Sequence, residues 1–323
     1  MDAGVITEAA AIIRGGGLVA FPTETVYGLG ADACNARAVA RIFEVKGRPR
    51  MDPLIVHVGG WEEALLYGEM SAPPARSLAE RFWPGPLTLV VPRKDRTPWI
   101  VTAGLETVAI RVPAHPAALE LIRASGCGIA APSANRFGRV SPSEAIHVAQ
   151  QLGEKVDLIL DAGKCPVGVE STILSLAGAV PRLLRAGGTP LEEIENVIGE
   201  IERPTGDPSR PESPGQMERH YATRTPLTLT TEENLDPETL RSRRTGLLAL
   251  VAPSRPEGFA AIEILSESGD LREAAANLFS ALHRLDELNL DCLVAFQVPE
   301  TGLGLAIMDR LRRCTAGLPD RNH

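Results

Sequence analysis

The stretch "FPTETVYGLG", residues 21–30, follows the apolar run "GGGLVA" of residues 15–20 and decides how this part of the chain folds. Leu18 to Phe21 are predicted to form a short buried strand. Two threonines, a glutamate and a tyrosine then lie between a proline and two glycines. This composition fits three structures: a turn that ends the strand, a cradle for phosphate, or a pocket for a smaller ligand.

The composition is that of an ordinary globular protein. The chain has 323 residues, of which 44% are hydrophobic and 23% are charged, and this length predicts two domains. The formal net charge is −8, with 19 basic and 22 acidic side chains in residues 1–200 and 14 and 19 in residues 201–323. Neither part is basic, which argues against a surface that coats nucleic acid, so any site for an anion must be local.

Several motifs with well-understood chemistry are absent from the sequence. The five cysteines form no CxxC pair and the six histidines show no HExxH or HxH spacing, which predicts reduced thiols and no dedicated metal site. There is no GxxxxGK[ST] phosphate loop and no GxSxG sequence of a hydrolase. No apolar run approaches the roughly 20 residues of a membrane span, and the N-terminus has no secretory pattern. We therefore expect a soluble, cytoplasmic protein.

Helix-like and strand-like segments alternate along the first part of the chain, which predicts a mixed α/β domain over residues 1–202. Thr7 is expected to cap its first helix. The proline-rich run "RPTGDPSRPESPG", residues 203–215, predicts a linker over residues 203–235. Strand and helix then alternate twice within residues 236–323, which predicts a small domain with a parallel sheet.

The sequence "KGRPR", residues 46–50, is a cluster of cations at the end of a helical stretch. Such a cluster is most often the solvated end of a helix, where cations complement the helix dipole. Only four of the 33 basic residues are lysines, however, and Lys46 lies beside Arg48 and Arg50. This grouping is also typical of phosphate binding, so both interpretations remain open on these residues alone.

Small polar side chains follow a buried run in "APSANRFGRVSPSEA", residues 131–145. Ser133, Asn135 and Ser141 are expected near the end of a strand, where α/β folds bind their ligands. Turn formation explains the same residues equally well, because serine, asparagine, glycine and proline are ordinary loop residues.

Two arginines and a histidine lie inside or beside apolar runs. Arg111 in "VAIRVP" and Arg185 in "RLLRAGG" are expected at or near strand ends. An arginine in an apolar alternation is costly to bury without an anion, which either a ligand or a structural Asp or Glu can supply. On its own, His57 in "LIVHV" is expected to be a satisfied core histidine, and Ser171 in "GVESTILS" to lead into a further strand.

Taken in order, eight segments resemble the signature of the YrdC/Sua5 family: "GGLVAFPTETVYGLGADA", "KGRP", "DPLIVHV", "FWPGPLTLVV", "TVAIRVPAHP", "IAAPSAN", "GVESTI" and "LLRAGG". The later segment "SPGQMERHYATRTPL" resembles the connector of the longer, two-domain Sua5 form. The resemblance is strongest over residues 14–190 and weak after residue 235. It implies a twisted open α/β sheet with a central cavity, a linker over the cavity, and a small Rossmann-like Sua5 C-terminal domain.

The resemblance also implies an activity. Members of this family are nucleotidyltransferases that make threonylcarbamoyl-AMP and pyrophosphate from L-threonine, bicarbonate or CO2, and ATP. Mg2+ is expected to arrive with the triphosphate, without a dedicated protein metal site. The product is expected to pass to the machinery that forms N6-threonylcarbamoyladenosine in tRNA, with weak binding of tRNA and no association with membranes.

The functional residues of the family transfer to this chain segment by segment. Lys46 and Arg48 are expected to be catalytic, because their charges would neutralise the transition state of adenylate transfer. The expected ATP contacts are Lys46, Arg48, Asp52, Thr107, Ser133, Asn135, Ser141, Arg185 and Tyr221. The expected threonine contacts are Thr25, His57, Arg111, Ala131 and Ser171. Asp52 stands where many relatives have asparagine, and Thr223 stands where they have proline.

Two other functions fit part of the sequence. YrdC-like domains also occur in carbamoyl-transfer proteins, but those chains usually carry acylphosphatase, zinc-finger or kinase-like modules that this sequence lacks. An RNA-binding module would need many phosphate contacts, which the excess of acidic residues in residues 1–200 disfavours. Since "FPTETVYGLG" contains no lysine or arginine, we expect it to form the amino-acid side of the site, with Thr25 contacting L-threonine.

Overall fold

The computed structural model describes residues 2–203, 212–215 and 220–315. The chain forms two compact units. The first comprises Met1–Phe137, Ser141–Pro166 and Glu170–Met217, and the second comprises Gly138–Val140, Val167–Val169 and Glu218–His323. Much of the predicted linker, residues 204–211 and 216–219, lies outside the described residues.

The first unit contains a mixed sheet, which has nine strands within the described residues. The strands are β1 Val19–Phe21, β2 Gly28–Asp32, β3 Ile55–His57, β4 Leu87–Pro92, β5 Thr107–Arg111, β6 Ile129–Ala130, β7 Leu158–Ile159, β8 Thr172–Ser175 and β9 Arg182–Arg185. Their order across the sheet is β7-β1-β2-β6-β3-β5-β4-β8-β9. β3 and β5 are parallel to each other, and β4 runs antiparallel to β5 and parallel to β8.

Helices connect these strands. They are α1 Ala3–Arg14, α2 Ala36–Lys46, α3 Trp61–Tyr67, α4 Pro73–Phe82, α5 Pro116–Ser125, α6 Ala145–Leu152 and α7 Leu191–Ile198, with a short 3-10 helix over Gly153–Lys155. The expected cap at Thr7 is wrong. Asp2 caps α1, because its carboxylate accepts the Gly4 N–H at 2.9 Å, and the Thr7 hydroxyl donates to the Ala3 carbonyl inside the helix.

The core lies on both faces of this sheet. Leu18 and Ala20 belong to the larger apolar cluster, whereas Val19 and Phe21 belong to a second one. Successive side chains of a strand point to opposite faces, so the buried run that precedes "FPTETVYGLG" contributes to both clusters. This explains why the run reads as continuously apolar rather than alternating.

The second unit contains a parallel sheet, which has four strands within the described residues. The strands are β10 Leu227–Thr230, β11 Thr245–Ala249, β12 Ala261–Ile264 and β13 Cys292–Phe296, in the order β10-β13-β11-β12. The helices are α8 Pro237–Ser242, α9 Leu271–Glu287 and α10 Gly304–Thr315. Every strand pair is parallel, which confirms the predicted sheet. β10 lies inside the range predicted as a linker. This segment is a strand of the second sheet, since its backbone pairs with β13.

Candidate functional site

One face of the first sheet carries a small apolar cluster bordered by polar side chains. The cluster consists of Ile55, Val90, Ala109, Ile173 and Leu184. Four buried polar residues lie two positions away along the same strands, so each points to the same face: His57, Thr88, Arg111 and Ser171. The carboxyl ends of β3 and β5 meet the amino ends of β4 and β8 at this edge, which brings the four residues together.

Arg111 lies at this edge and is only 3% exposed. One terminal nitrogen, Nη2, lies 2.7 Å from the Glu24 carboxylate, and Nη1 donates to the Thr25 hydroxyl at 3.0 Å. The Nε–H donates to the Gly85 carbonyl at 3.1 Å. Sequence reasoning left open whether a ligand or a structural acid compensates this charge. Glu24 is that acid, and it also accepts the Ala114 N–H at 3.0 Å.

His57 lies directly beside Arg111 in the β3–β5 register. It is buried, and its ring meets that of Phe21 edge to face with centroids 6.0 Å apart. Burial, with a smaller contribution from the Arg111 charge, lowers the pKa of His57 to about 3. The imidazole is therefore neutral at physiological pH, and its Nδ1 has no hydrogen-bond partner among the described residues.

The neutrality of His57 has a consequence for stability. Below the unfolded-state pKa of about 6.5, the unfolded chain binds a proton that the folded chain refuses down to about pH 3, so stability falls as pH falls through this window. Between pH 7 and pH 5, we expect the free energy of unfolding of His57→Gln to fall by about 2 kcal/mol less than that of the wild type. Urea unfolding of both proteins at the two pH values measures the difference, and identical losses would contradict a neutral His57.

Lys46, the last residue of α2, is buried and joins this helix to the loop that follows β6. Its ammonium group donates to the Ser133 carbonyl at 2.6 Å and to the Asn135 carbonyl, and its Nζ lies 3.5 Å from Asn135 Oδ1. Gly47 ends the helix in the left-handed conformation, with φ of 65°, which lets the chain turn directly after the lysine. Burial and then the Arg48 charge lower the pKa of Lys46 well below its ordinary value.

Arg48 and Asp52 form a buried ion pair beside Lys46, with Nη2 and Oδ1 2.8 Å apart. Arg48 also donates to the backbone carbonyls of Asp52 at 3.1 Å and Pro53 at 2.8 Å. Burial raises the pKa of Asp52, and the charges of Arg48, Lys46 and Arg185 oppose that rise. Asp52 therefore lies within the electrostatic range of three cations, and the carboxylate partly neutralises them.

Arg185 at the end of β9 completes the cationic group. It donates twice to the Ser171 carbonyl, at 2.9 and 3.1 Å, and lies 3.2 Å from the Ser171 hydroxyl. That hydroxyl is 2.8 Å from the hydroxyl of Thr88. Nearby in sequence, Glu170 accepts the Ser141 hydroxyl at 2.6 Å. Hydroxyl groups thus connect Arg185 to the edge of the sheet where Thr88 faces Arg111.

The stretch "FPTETVYGLG" forms a compact turn rather than a phosphate cradle. The Thr23 hydroxyl accepts the N–H groups of Thr25 at 3.1 Å and Val26 at 3.2 Å. A side chain at Gly30 would lie 2.7 Å from both Phe21 and Ile129, so this glycine is required for packing. The turn presents Thr25 and Glu24 to Arg111.

One predicted ATP residue, Thr107, lies apart from this group, and another, Tyr221, belongs to the second unit. Thr107 begins β5 and Arg111 ends it, so the two are about 13 Å apart along the strand. Tyr221 belongs to the second unit, where its ring stacks on Phe279 with centroids 5.6 Å apart and faces the Arg310 guanidinium. Ala131, by contrast, is close, because its N–H donates to the Ile55 carbonyl at 2.9 Å. The roles of all three stay predictions.

Sequence reasoning named no role for Glu24, Thr88 or Glu170, although each is buried and bonded to a predicted site residue. A role for Glu24 could have been predicted, since a charged residue between a buried strand and two glycines needs a partner of opposite charge. A role for Thr88 could hardly have been predicted, because one threonine in "LTLVVP" is normal for a strand.

Comparison with known proteins identifies the fold. The Sua5_yciO_yrdC family model, described as telomere recombination, matches residues 11–187. The chain belongs to this Sua5/YciO/YrdC family. A second model, described as the threonylcarbamoyl-AMP synthase C-terminal domain, matches residues 189–316. The two family matches together span nearly all of the described residues.

Relatives of the Sua5/YciO/YrdC family match over almost their whole length. Threonylcarbamoyl-AMP synthase of Pyrococcus abyssi is 44% identical over 96% of this chain and 94% of its own, and that of Bacillus subtilis is 44% identical over 97% and 93%. The crystal structure of P. abyssi Sua5 complexed with L-threonine superposes with a TM-score of 0.91 at 42% identity, covering 98% of this chain and 95% of that one. E. coli YciO, at 23% identity and a TM-score of 0.51, shares the fold.

Two further findings concern metals and membranes. Among the residues that the structure describes, no group of three or more His, Cys, Asp or Glu side chains is placed to hold a metal ion. Every helix in the described ranges is too short or too polar to cross a membrane.

Proposed function

We propose that the buried group around Arg111, Lys46 and Arg48 makes threonylcarbamoyl-AMP and pyrophosphate from L-threonine, bicarbonate or CO2, and ATP. The activity is that of relatives 44% identical to this chain over nearly its full length. The observation that carries the proposal is the arrangement of charge. Arg111, the Thr25 hydroxyl and the neutral His57 lie together at one edge of the sheet. Lys46, Arg48 and Arg185 form a second cationic group around Asp52.

The reaction needs little proton transfer and much positioning. The neutral amine of threonine adds to CO2 and loses a proton to form a carbamate. A carbamate oxygen then attacks the α-phosphorus of ATP, the bond to the bridging oxygen breaks, and pyrophosphate leaves. Bound reactants react as one molecule, and fixed cations stabilise the charge on the phosphoryl oxygens. A buried site rich in arginine is suited to both tasks.

The threonine contacts in this proposal are Thr25, His57, Arg111, Ala131 and Ser171. Arg111 is the partner of the substrate carboxylate, since its hydrogen bonds to Gly85 and Thr25 use only two of its five N–H groups and its contact with Glu24 is an ion pair. Glu24 neutralises the guanidinium until the substrate carboxylate arrives. The uncharged His57 suits contact with the substrate's hydroxyl or amine, because an imidazolium would repel the amine in its protonated form.

The nucleotide contacts in this proposal are Lys46, Arg48, Asp52, Thr107, Ser133, Asn135, Ser141, Arg185 and Tyr221. Lys46 and Arg48 are the residues proposed to act on the transition state. Their partners are largely carbonyl oxygens of the backbone, which bind a cation less strongly than phosphate does. A triphosphate can therefore compete for these cations. The Asp52 carboxylate repels the triphosphate and limits the net positive charge of the site.

We propose that Mg2+ enters with ATP and is held by phosphate oxygens and water. The carboxylates of the site, Glu24, Asp52 and Glu170, are each engaged by Arg111, Arg48 or Ser141. That donor set fits a metal that the substrate carries, since the described carboxylates there are already engaged by protein groups. Bound in this way, Mg2+ would neutralise charge on the leaving pyrophosphate.

The remaining parts of the proposal concern organisation and partners. We propose a catalytic domain over residues 1–202, a linker over residues 203–235 and a C-terminal domain over residues 236–323. The unstable product would pass, in the cytoplasm, to the machinery that threonylcarbamoylates tRNA. The match to a full-length structure in complex with L-threonine supports the amino-acid half of this scheme.

Pyrophosphate release from ATP is the decisive measurement. We expect release to require L-threonine and bicarbonate together, because the attacking oxygen exists only in the carbamate that they form. Omitting either should reduce the rate to the background of buffer alone. Release that does not depend on threonine would contradict the proposal and favour another carbamoyl-adenylating activity, and binding of tRNA without pyrophosphate release would favour an RNA-binding module.

A further inference from the structure

Two cysteines lie just beyond the paired ends of β2 and β6, Cys34 after β2 and Cys127 before β6. Ala31 pairs with Ala130 and Asp32 with Ile129 in the antiparallel register, and the Ala33 N–H donates to the Gly128 carbonyl at 2.9 Å. Cys34 follows in a turn that the Asn35 N–H closes by donating to the Asp32 carbonyl at 3.1 Å, and Cys127 directly precedes Gly128. Both cysteines therefore lie directly beyond the β2–β6 pairing, close enough for their charges to interact.

Side-chain contacts place both thiols in one environment. The Cys34 thiol donates to the Tyr67 hydroxyl at 3.8 Å, and the same hydroxyl oxygen accepts the N–H of Gly128, next to Cys127, at 2.7 Å. The Asp32 carboxylate accepts the Cys34 N–H at 2.8 Å and also hydrogen-bonds the Cys127 thiol. Asp32 therefore contacts both cysteines, and the Tyr67 hydroxyl contacts Cys34 and the residue next to Cys127.

The accessibility of the cysteines differs in a way that matters for chemistry. Cys34 is exposed and Cys127 is half-buried, whereas Cys165, Cys292 and Cys314 are buried. Burial and then the Asp32 carboxylate raise the pKa of Cys127 to about 12. Cys34 is thus the thiol that an external reagent reaches, and Cys127 is the thiol behind it.

We propose that Cys34 and Cys127 form a redox-active pair that a low-molecular-weight disulfide oxidises to an intramolecular disulfide. The Cys34 thiolate attacks one sulfur of the oxidant, forming a mixed disulfide and releasing one thiol. Cys127 then loses its proton and attacks the Cys34 sulfur, and the second thiol leaves. Two protein thiols lose two electrons, the oxidant's disulfide bond gains them, and both protons end on the released thiols.

The position of the pair suggests its effect on the fold. Cys34 precedes α2, and Lys46 ends that helix about 16 Å away. Cys127 precedes β6, and the loop after β6 contains the Ser133 carbonyl that Lys46 binds. α2 therefore meets the β6 segment at both of its ends, once through Lys46 and once through the cysteines. The disulfide would make the second connection covalent, and we expect a rise of several degrees in Tm.

Oxidised glutathione and mass spectrometry of the full chain test the proposal. We expect the wild type to lose about 2 Da, to yield one linked peptide pair containing Cys34 and Cys127, and to recover its mass with dithiothreitol. Cys127→Ser should stop at a mixed disulfide, gaining about 305 Da at Cys34, and Cys34→Ser should not react. The three buried cysteines serve as internal controls.

Three results would overturn the proposal: a glutathione adduct that persists on Cys34 of the wild type, a linkage to another cysteine, or no reaction. The peptide map of the wild type decides between them even where a serine variant folds poorly. None of these readouts requires catalysis, so the outcome is independent of the proposed function.

Discussion

Replacing Arg111 with methionine is expected to lower kcat/KM for L-threonine by about 10²–10³-fold, while the KM for ATP changes by less than about threefold. Truncating one partner of a buried, hydrogen-bonded charge pair costs about 2–5 kcal/mol, and 1.4 kcal/mol corresponds to a factor of ten. The loss should fall on threonine because Arg111 contacts Glu24 and Thr25 on the proposed amino-acid side, whereas Lys46 and Arg48 are the residues proposed for the nucleotide. Pyrophosphate release, titrated separately with each substrate, measures the split.

Arg111→Met also leaves the Glu24 charge buried and unpaired, which should cost about 3–5 kcal/mol of folding free energy. The double variant Arg111→Met/Glu24→Gln removes both charges, and the new amide can still accept the Ala114 N–H. We expect it to regain most of the stability in urea unfolding but none of the activity. Arg76→Met, at an exposed helical ion pair, is the matched control. Recovery of threonine-dependent turnover in the double variant would remove Arg111 from the threonine site.

The sequence predicts the fold correctly wherever its hydrophobic pattern extends over a whole helix or strand. The alternation of strands and helices, and the parallel sheet near the C-terminus, follow from apolar runs of four to eight residues between amphipathic stretches. β10 was missed because "LTLT" is short and only its pairing with β13 makes it a strand. The position of Thr7 before the apolar face predicts a helix cap there, but the helix begins earlier and Asp2 caps its first turn.

The sequence likewise predicts some residues of the candidate site and not others. Cations in apolar runs pointed to Arg111 and Arg185, and each is buried and hydrogen-bonded to a backbone carbonyl. What compensates a buried charge depends on which distant segments the sheet brings together, so Glu24 could not be assigned to Arg111 from spacing. Thr88 entered the site only through the antiparallel register of β4 and β5, which sets it across from Arg111.

Replacing Lys46 with methionine is expected to lower kcat/KM for ATP by about 10²-fold or more. The variant leaves the carbonyls of Ser133 and Asn135 without their donor, and each buried carbonyl that loses its partner costs about 1–3 kcal/mol. It also removes a positive charge from the group that is proposed to meet the triphosphate. Methionine keeps the length and flexibility of the side chain, so the change isolates the ammonium group.

The expected loss should be specific to the nucleotide. Threonine binding, measured by calorimetry without ATP, should change little, because the hydrogen bonds of Lys46 go to Ser133 and Asn135, whereas those of Arg111 go to Gly85 and Thr25. Lys155→Met is the matched control, since Lys155 is an exposed lysine of the same unit. A Lys46→Met protein that keeps its kcat/KM for ATP within threefold would show that the lysine holds neither the phosphates nor the loop in the working enzyme. The nucleotide would then depend on Arg48 and Arg185 alone among the proposed cations.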